Sequence, residues 1–250
     1  MTKARTFVLV HGGFSGSWSW CRLAPFLRDA GHRVYAPTLT GSGDRSHLRT
    51  PDTGLSTHVQ DVYELLRWED LSDVILVGHS YGGMVITGVA DRAPERIGQM
   101  VYLDAAQPLD GEGLVDVAPL SMQYAAQTRR ILDGVDVVGG TAFESQGRQT
   151  APTLPALPEN PTADEIQEWV DAHDTPFPWK AFAEKLSLRN ESRVRAIRRA
   201  SVNTTWSLRS EPESEAAQRR LQADSVWEVD TGHNLQLLEP QQVADILVSV

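Results

Sequence analysis

The sequence contains a single cysteine, Cys21, in 250 residues. One thiol cannot close an intrachain disulfide, and no Cys/His cluster has the spacing of a metal site. Basic residues are also outnumbered: 23 Lys and Arg stand against 33 Asp and Glu, for a formal charge of -10. With no basic block to neutralise phosphates, neither nucleic acid nor an anionic membrane is an expected partner. Long apolar runs are missing as well. The first run, Thr6 to Val10, is too short for a signal-peptide core or a membrane span, so a cytoplasmic protein is expected. The glycine-rich stretch from Thr40 to Arg45 lacks the spacing of a dinucleotide or P-loop fingerprint. No cofactor is therefore called for.

What is present organises around residues 74–84. Val74-Ile75-Leu76-Val77 reads as a buried strand, Gly78-His79-Ser80-Tyr81-Gly82 fits the nucleophile-elbow pattern Gly-x-Ser-x-Gly, and Met84 to Ala90 continues as an apolar helix. The strand, sharp turn and helix form the context that presents a serine at a helix N-terminus, where free N–H groups favour developing negative charge. Upstream, Phe7 to Val10 reads as a strand stopped by His11-Gly12-Gly13. This places the Gly13 N–H beside that of Tyr81 as a two-donor oxyanion hole. His11 reads as a structural residue fixing that turn.

Strands and helices alternate along the chain. Expected helices cover Ser17 to Leu27, Leu55 to Trp68 and Gln241 to Val250, and further strands cover Arg33 to Pro37, Gln99 to Asp104, Ser201 to Leu208 and Val226 to Asp230. This order implies an α/β fold with a mostly parallel sheet flanked by helices, and chemistry at the carboxyl ends of the strands. Residues 1–107 and 200–250 form the expected core. Residues 108–199, poor in strand-like runs, form an expected helical lid inserted after the sixth core strand. Its helices are placed at Pro119 to Leu132, Ala163 to Ala172 and Pro178 to Leu188, with an extended connector from Ala151 to Pro161. Met122, Tyr124, Phe143, Trp169, Phe177, Trp179 and Phe182 are candidate pocket walls, most of them better read as lid core. Among the seven histidines, His233 alone follows a late strand in a glycine-containing loop, where a base can reach Ser80.

Taken together, Phe7 to Gly13, Tyr35 to Gly41, Val77 to Met84, Val101 to Ala105 and Asp230 to His233 resemble the α/β-hydrolase superfamily. More narrowly they resemble small bacterial carboxylesterases related to plant methyl esterases and hydroxynitrile lyases. The resemblance implies a serine, acid, histidine order, which Ser80 and His233 fit. In many relatives the acid follows the strand after the lid, but Trp206 to Ser210 supply no aspartate, only Glu211 and Glu213 shortly beyond. Some members carry it one core strand earlier, where Asp104 stands. Asp104 is preferred because a strand tip holds a carboxylate rigidly, with Glu211 and Glu213 as alternatives. Hydroxynitrile lyases of this fold carry threonine and lysine where this chain has Gly12 and Asn234. Both departures favour ester hydrolysis over carbon–carbon cleavage, and the apolar, aromatic-containing lid points to a small, moderately hydrophobic ester or lactone. A carbon–carbon lyase and a non-catalytic small-molecule sensor are the rival readings. A homodimer is compatible with the sequence.

Overall fold

The computed structural model describes residues 4–139, 154–210 and 215–250. Phe143, Glu211, Glu213 and the first three residues of the expected connector lie outside them. Strands β1 (Thr6–Val10), β2 (Arg33–Tyr35), β3 (Val74–His79), β4 (Ile97–Leu103), β8 (Arg198–Thr204) and β9 (Ser225–Val229) build one sheet in the order β2-β1-β3-β4-β8-β9. Every pairing in it is parallel.

Strand alternation divides the core. Val8, Val10, Leu76, Met100 and Tyr102 face one side with the helices α2 (Leu55–Trp68) and α3 (Gly82–Arg92). Phe7, Leu9, Ile75, Val77, Val101 and Leu103 face the other, against α1 (Leu23–Asp29) and the C-terminal helix Pro240–Ser249. Successive side chains of a strand point to opposite faces, so near-continuous apolar runs are the signature of a sheet covered on both sides.

The segment between β4 and β8 departs from expectation in two ways. It follows the fourth strand in chain order, because the sheet opens directly on β1 with β2 at its edge. It is also not purely helical: β5 (Arg130–Leu132), β6 (Val135–Val138) and β7 (Phe177–Pro178) form a small antiparallel sheet. The helix expected from Pro119 to Leu132 therefore ends at Ala126, and the one expected from Pro178 to Leu188 covers only Trp179–Ala183. Asp133 and Gly134, both at positive φ (51° and 79°), make the two-residue turn that favours a hairpin over a continuing helix. Helix Ala163–His173 falls where its pattern put it. Thr162 accepts the Glu165 N–H at 3.2 Å, and the Glu165 carboxylate accepts the Thr162 N–H at 2.8 Å, closing a reciprocal cap. Leu114, Val117, Val138, Phe177 and Phe182 join the core on the α2/α3 side, so this segment packs onto the sheet layers.

Candidate active site

Ser80 sits at the tip of β3 with φ 53°, a left-handed conformation that costs a non-glycine residue energy and lifts its side chain out of the strand. Close backbone approach holds it there. A Cβ on Gly82 would stand 2.4 Å from the Val10 carbonyl, and one on Gly78 would stand 2.6 Å from the Gly82 carbonyl. Asp104 repeats the geometry on the neighbouring strand tip, with φ 46° and its N–H donating to the Val202 carbonyl at 2.7 Å. His233 arrives from the loop after β9.

The structure brings Ser80, Asp104 and His233 together with Gly13 and Tyr81 on the wall of one cavity of about 380 Å³. His233 Nδ1 lies 2.6 Å from Asp104 Oδ2. The Thr204 N–H donates to the other carboxylate oxygen at 3.3 Å, and the Ser207 and Thr204 hydroxyls donate to Oδ2 at 2.5 and 3.2 Å. Arg220 approaches Oδ1 to 3.7 Å. Burial pushes the Asp104 carboxyl up, but the hydrogen bond and charge of His233, the charge of Arg220 and the Ser207 hydroxyl together hold it down to about 2. Asp104 is thus ionised at neutral pH, and the imidazole leaves Nε2 for the cavity.

Ser207, Thr204 and Arg220 were not legible as site residues: Thr204 and Ser207 reach Asp104 through the pairing of β4 with β8, and Arg220 from the helix Glu215–Arg220 that follows. His79 is another. Its Nε2–H donates to the His233 carbonyl at 2.9 Å, which ties the elbow to the loop carrying the imidazole. Burial, with His233 nearby, lowers the His79 pKa to about 3, so it is neutral.

His11 is fully buried, its Nε2 accepting the Leu39 N–H at 3.0 Å and its Nδ1–H donating to the Gly12 carbonyl at 2.7 Å. Burial lowers its pKa to about 4, and both ring nitrogens are engaged in fixing the turn. The Tyr81 hydroxyl donates to His58 Nδ1 at 2.8 Å, while its ring packs against Phe177 and Phe182 at 5.2 and 5.5 Å. That anchors the backbone just after Ser80. Neither the Gly13 nor the Tyr81 N–H meets an acceptor among the described residues.

Gly12 keeps the floor beside the serine open. A Cβ there would stand 2.9 Å from Ser80 Cβ, closer than packed carbons come. Of the expected pocket walls, Met122 and Phe182 line the cavity. Trp169 and Phe177 are buried in cores, Tyr124 is 74% exposed, and Trp179 packs partly buried against the α2/α3-side core. The rest of the lining includes Phe14, Ala118, Val170 and Trp206. Among the described residues no group of three or more His, Cys, Asp or Glu could hold a metal, and no helix is long and apolar enough to cross a membrane.

The chain is 53% identical over 116 residues to a carbendazim hydrolyzing esterase of Nocardioides sp. (strain SG-4G), covering 46% of this chain and 48% of that protein. It is 38% identical over 110 residues to an alpha-hydroxynitrile lyase of Arabidopsis thaliana, covering 43% and 42%. These matches span about half the length of the curated relatives. An extracellular alpha/beta-hydrolase from a Paenibacillus species, described as sharing structural and functional homology with tobacco Salicylic Acid Binding Protein 2, superposes with a TM-score of 0.72. That match is at 25% identity over 98% of both chains. The model of the alpha/beta hydrolase family matches residues 7–246, nearly the whole sequence, and with it the chain belongs to that family.

Proposed function

We propose that the protein is a carboxylic ester hydrolase working through an acyl-enzyme on Ser80. The observation that carries the reading is the 2.6 Å contact of His233 Nδ1 with an ionised Asp104, on the wall of the cavity that Ser80 also lines. Ser80 Oγ attacks the ester carbonyl as His233 Nε2 takes its proton, and Asp104 holds the imidazole tautomer and stabilises the imidazolium. Ser80 and His233, both on the cavity wall, share no hydrogen bond among those of the described residues, and catalytic hydrogen bonds commonly tighten only around substrate. The N–H groups of Gly13 and Tyr81 receive the oxyanion, each worth roughly 3 kcal/mol in comparable sites. His233 then protonates the leaving alcohol and activates water against the acyl-serine. The segment between β4 and β8 supplies the lid, through Ala118, Met122, Val170 and Phe182.

The relatives named as esterases support this reading. The relative named as a hydroxynitrile lyase keeps carbon–carbon cleavage as the rival, against which Gly12 and Asn234 count. The test is hydrolysis of p-nitrophenyl butyrate by wild type and Ser80→Ala, where the variant is expected to lose at least about 10³-fold in kcat. Equal rates would remove the nucleophile. Tight ligand binding without turnover by the wild type would favour a sensor.

A further inference from the structure

One charged group in the cavity has no part in the chemistry above. Asp174 caps the C-terminus of helix Ala163–His173 and lines the cavity with Gln167 and Val170, the three spaced on one helix face. Its position is hostile to a carboxylate. Helix carbonyls present their negative end there, Asp171 adds a like charge, and among the described residues no cation or hydrogen-bond donor answers the side chain. Burial, with Asp171 nearby, pushes the Asp174 carboxyl up to about 7. The other ionisable groups on the cavity wall, Asp104, Arg220 and His233, are already engaged with one another. Asp171 is held by the Gln167 side-chain amide at 2.7 Å.

A partly buried carboxyl on the same cavity wall as Phe14, Met122 and Phe182, with a like charge nearby and no cation or donor to its side chain among the described residues, is a half-built ion pair. Resting on the ester hydrolase reading, we propose that Asp174 is a specificity-determining residue that selects esters carrying a nitrogen-bound hydrogen, as an ammonium or a heteroaromatic N–H. The carboxylate accepts that hydrogen while the carbon skeleton lies against the phenylalanines. A hydrogen bond to a charged group inside an apolar cavity is strong enough to decide between isosteric substrates.

The experiment reads binding apart from turnover, by calorimetry on Ser80→Ala protein. Two isosteric pairs serve as probes: methyl indole-2-carboxylate against methyl benzofuran-2-carboxylate, and methyl 4-(aminomethyl)benzoate against methyl 4-(hydroxymethyl)benzoate. In at least one pair the nitrogen ester is expected to bind about 10- to 100-fold tighter at pH 8, with the preference shrinking at pH 5.5 as Asp174 takes up its proton. Adding Asp174→Asn or Asp174→Leu is expected to bring the ratio close to one. Equal affinities within both pairs, failure of the nitrogen esters to bind, or a preference that survives both variants would overturn the proposal. An inactive wild type on p-nitrophenyl butyrate would instead sink the hydrolase reading alone.

Thermal unfolding gives a second readout. The folded chain holds the Asp174 proton more tightly than an unfolded chain, whose carboxyl titrates at its ordinary 3.8. Ionising it therefore costs stability as pH rises from about 4 to about 7. Asp174→Asn is expected to gain in midpoint on the wild type between pH 5 and pH 8, and a pH-independent difference would show that the carboxyl already has a partner.

Discussion

Asp104 accepts hydrogen bonds from Thr204, Ser207 and His233 and faces Arg220, more partners than a turn residue at a strand tip needs. Each stabilises the anion, and together they outweigh burial. Since its folded pKa is held below 3.8, its contribution to stability is fully present above that value and lost only as pH falls towards 2. Asp104→Asn is expected to lower kcat by about 10⁴-fold, the cost of the wrong imidazole tautomer in serine proteases. It should also flatten the fall of stability between pH 4 and pH 2. Steady-state rates and acid unfolding curves of the two proteins check both, and a variant with near-wild-type kcat would move the acid's role elsewhere. Asp104 was legible because the family resemblance allows an acid after this core strand and the apolar run of the strand places Asp104 at its tip. Arg220 escaped it because the contact joins residues far apart in sequence across a fold that must first be assembled.

At the scale of elements, the unit that matters is β3, the elbow and α3. Glycine is needed there for space: the Val10 carbonyl lies 2.4 Å from where a Gly82 Cβ would be, whereas a Cβ on Gly232 would meet only Leu238 at 3.4 Å. Gly82→Ala is expected to destabilise by about 1–3 kcal/mol or more through overpacking between β1 and α3. Gly232→Ala should cost under about 1 kcal/mol. Denaturant unfolding of the pair checks the contrast, and equal midpoints would mean that β1 and α3 can separate freely. Helix α2, with its regular apolar period, and helix Ala163–His173, with the Thr162 cap before it, were legible from sequence almost to the residue. The β5–β6 hairpin was not, although Asp133-Gly134 between two apolar runs is a known hairpin signal. The helical period of Pro119 to Ala126 masked it. Strands β6 and β7 pair only across the intervening segment, which local pattern does not encode.

On the scale of the whole molecule, the ends of β3, β4 and β9 lie along one edge of the sheet, with β8 between the last two, and Ala118, Met122, Val170 and Phe182 from the segment between β4 and β8 line the same cavity. Parallel pairing could be read from alternating elements and right-handed crossovers, and with it the placement of chemistry at the carboxyl ends of the strands; the order of the strands could not. Nor could the cavity lining from the segment between β4 and β8, because its few apolar walls depend on packing with the sheet layers, and candidates such as Tyr124 face solvent. The account stands on one chemical property of this arrangement, a Ser80 hydroxyl made nucleophilic by His233. The most direct measurement is mass spectrometry of the protein after exposure to a fluorophosphonate, with His233→Ala and Ser80→Ala in parallel. One adduct per chain on the peptide containing Ser80 is predicted, forming at least about 10²-fold more slowly in His233→Ala and absent in Ser80→Ala. An adduct on another residue, or labelling of Ser80 at the same rate without His233, would contradict the account.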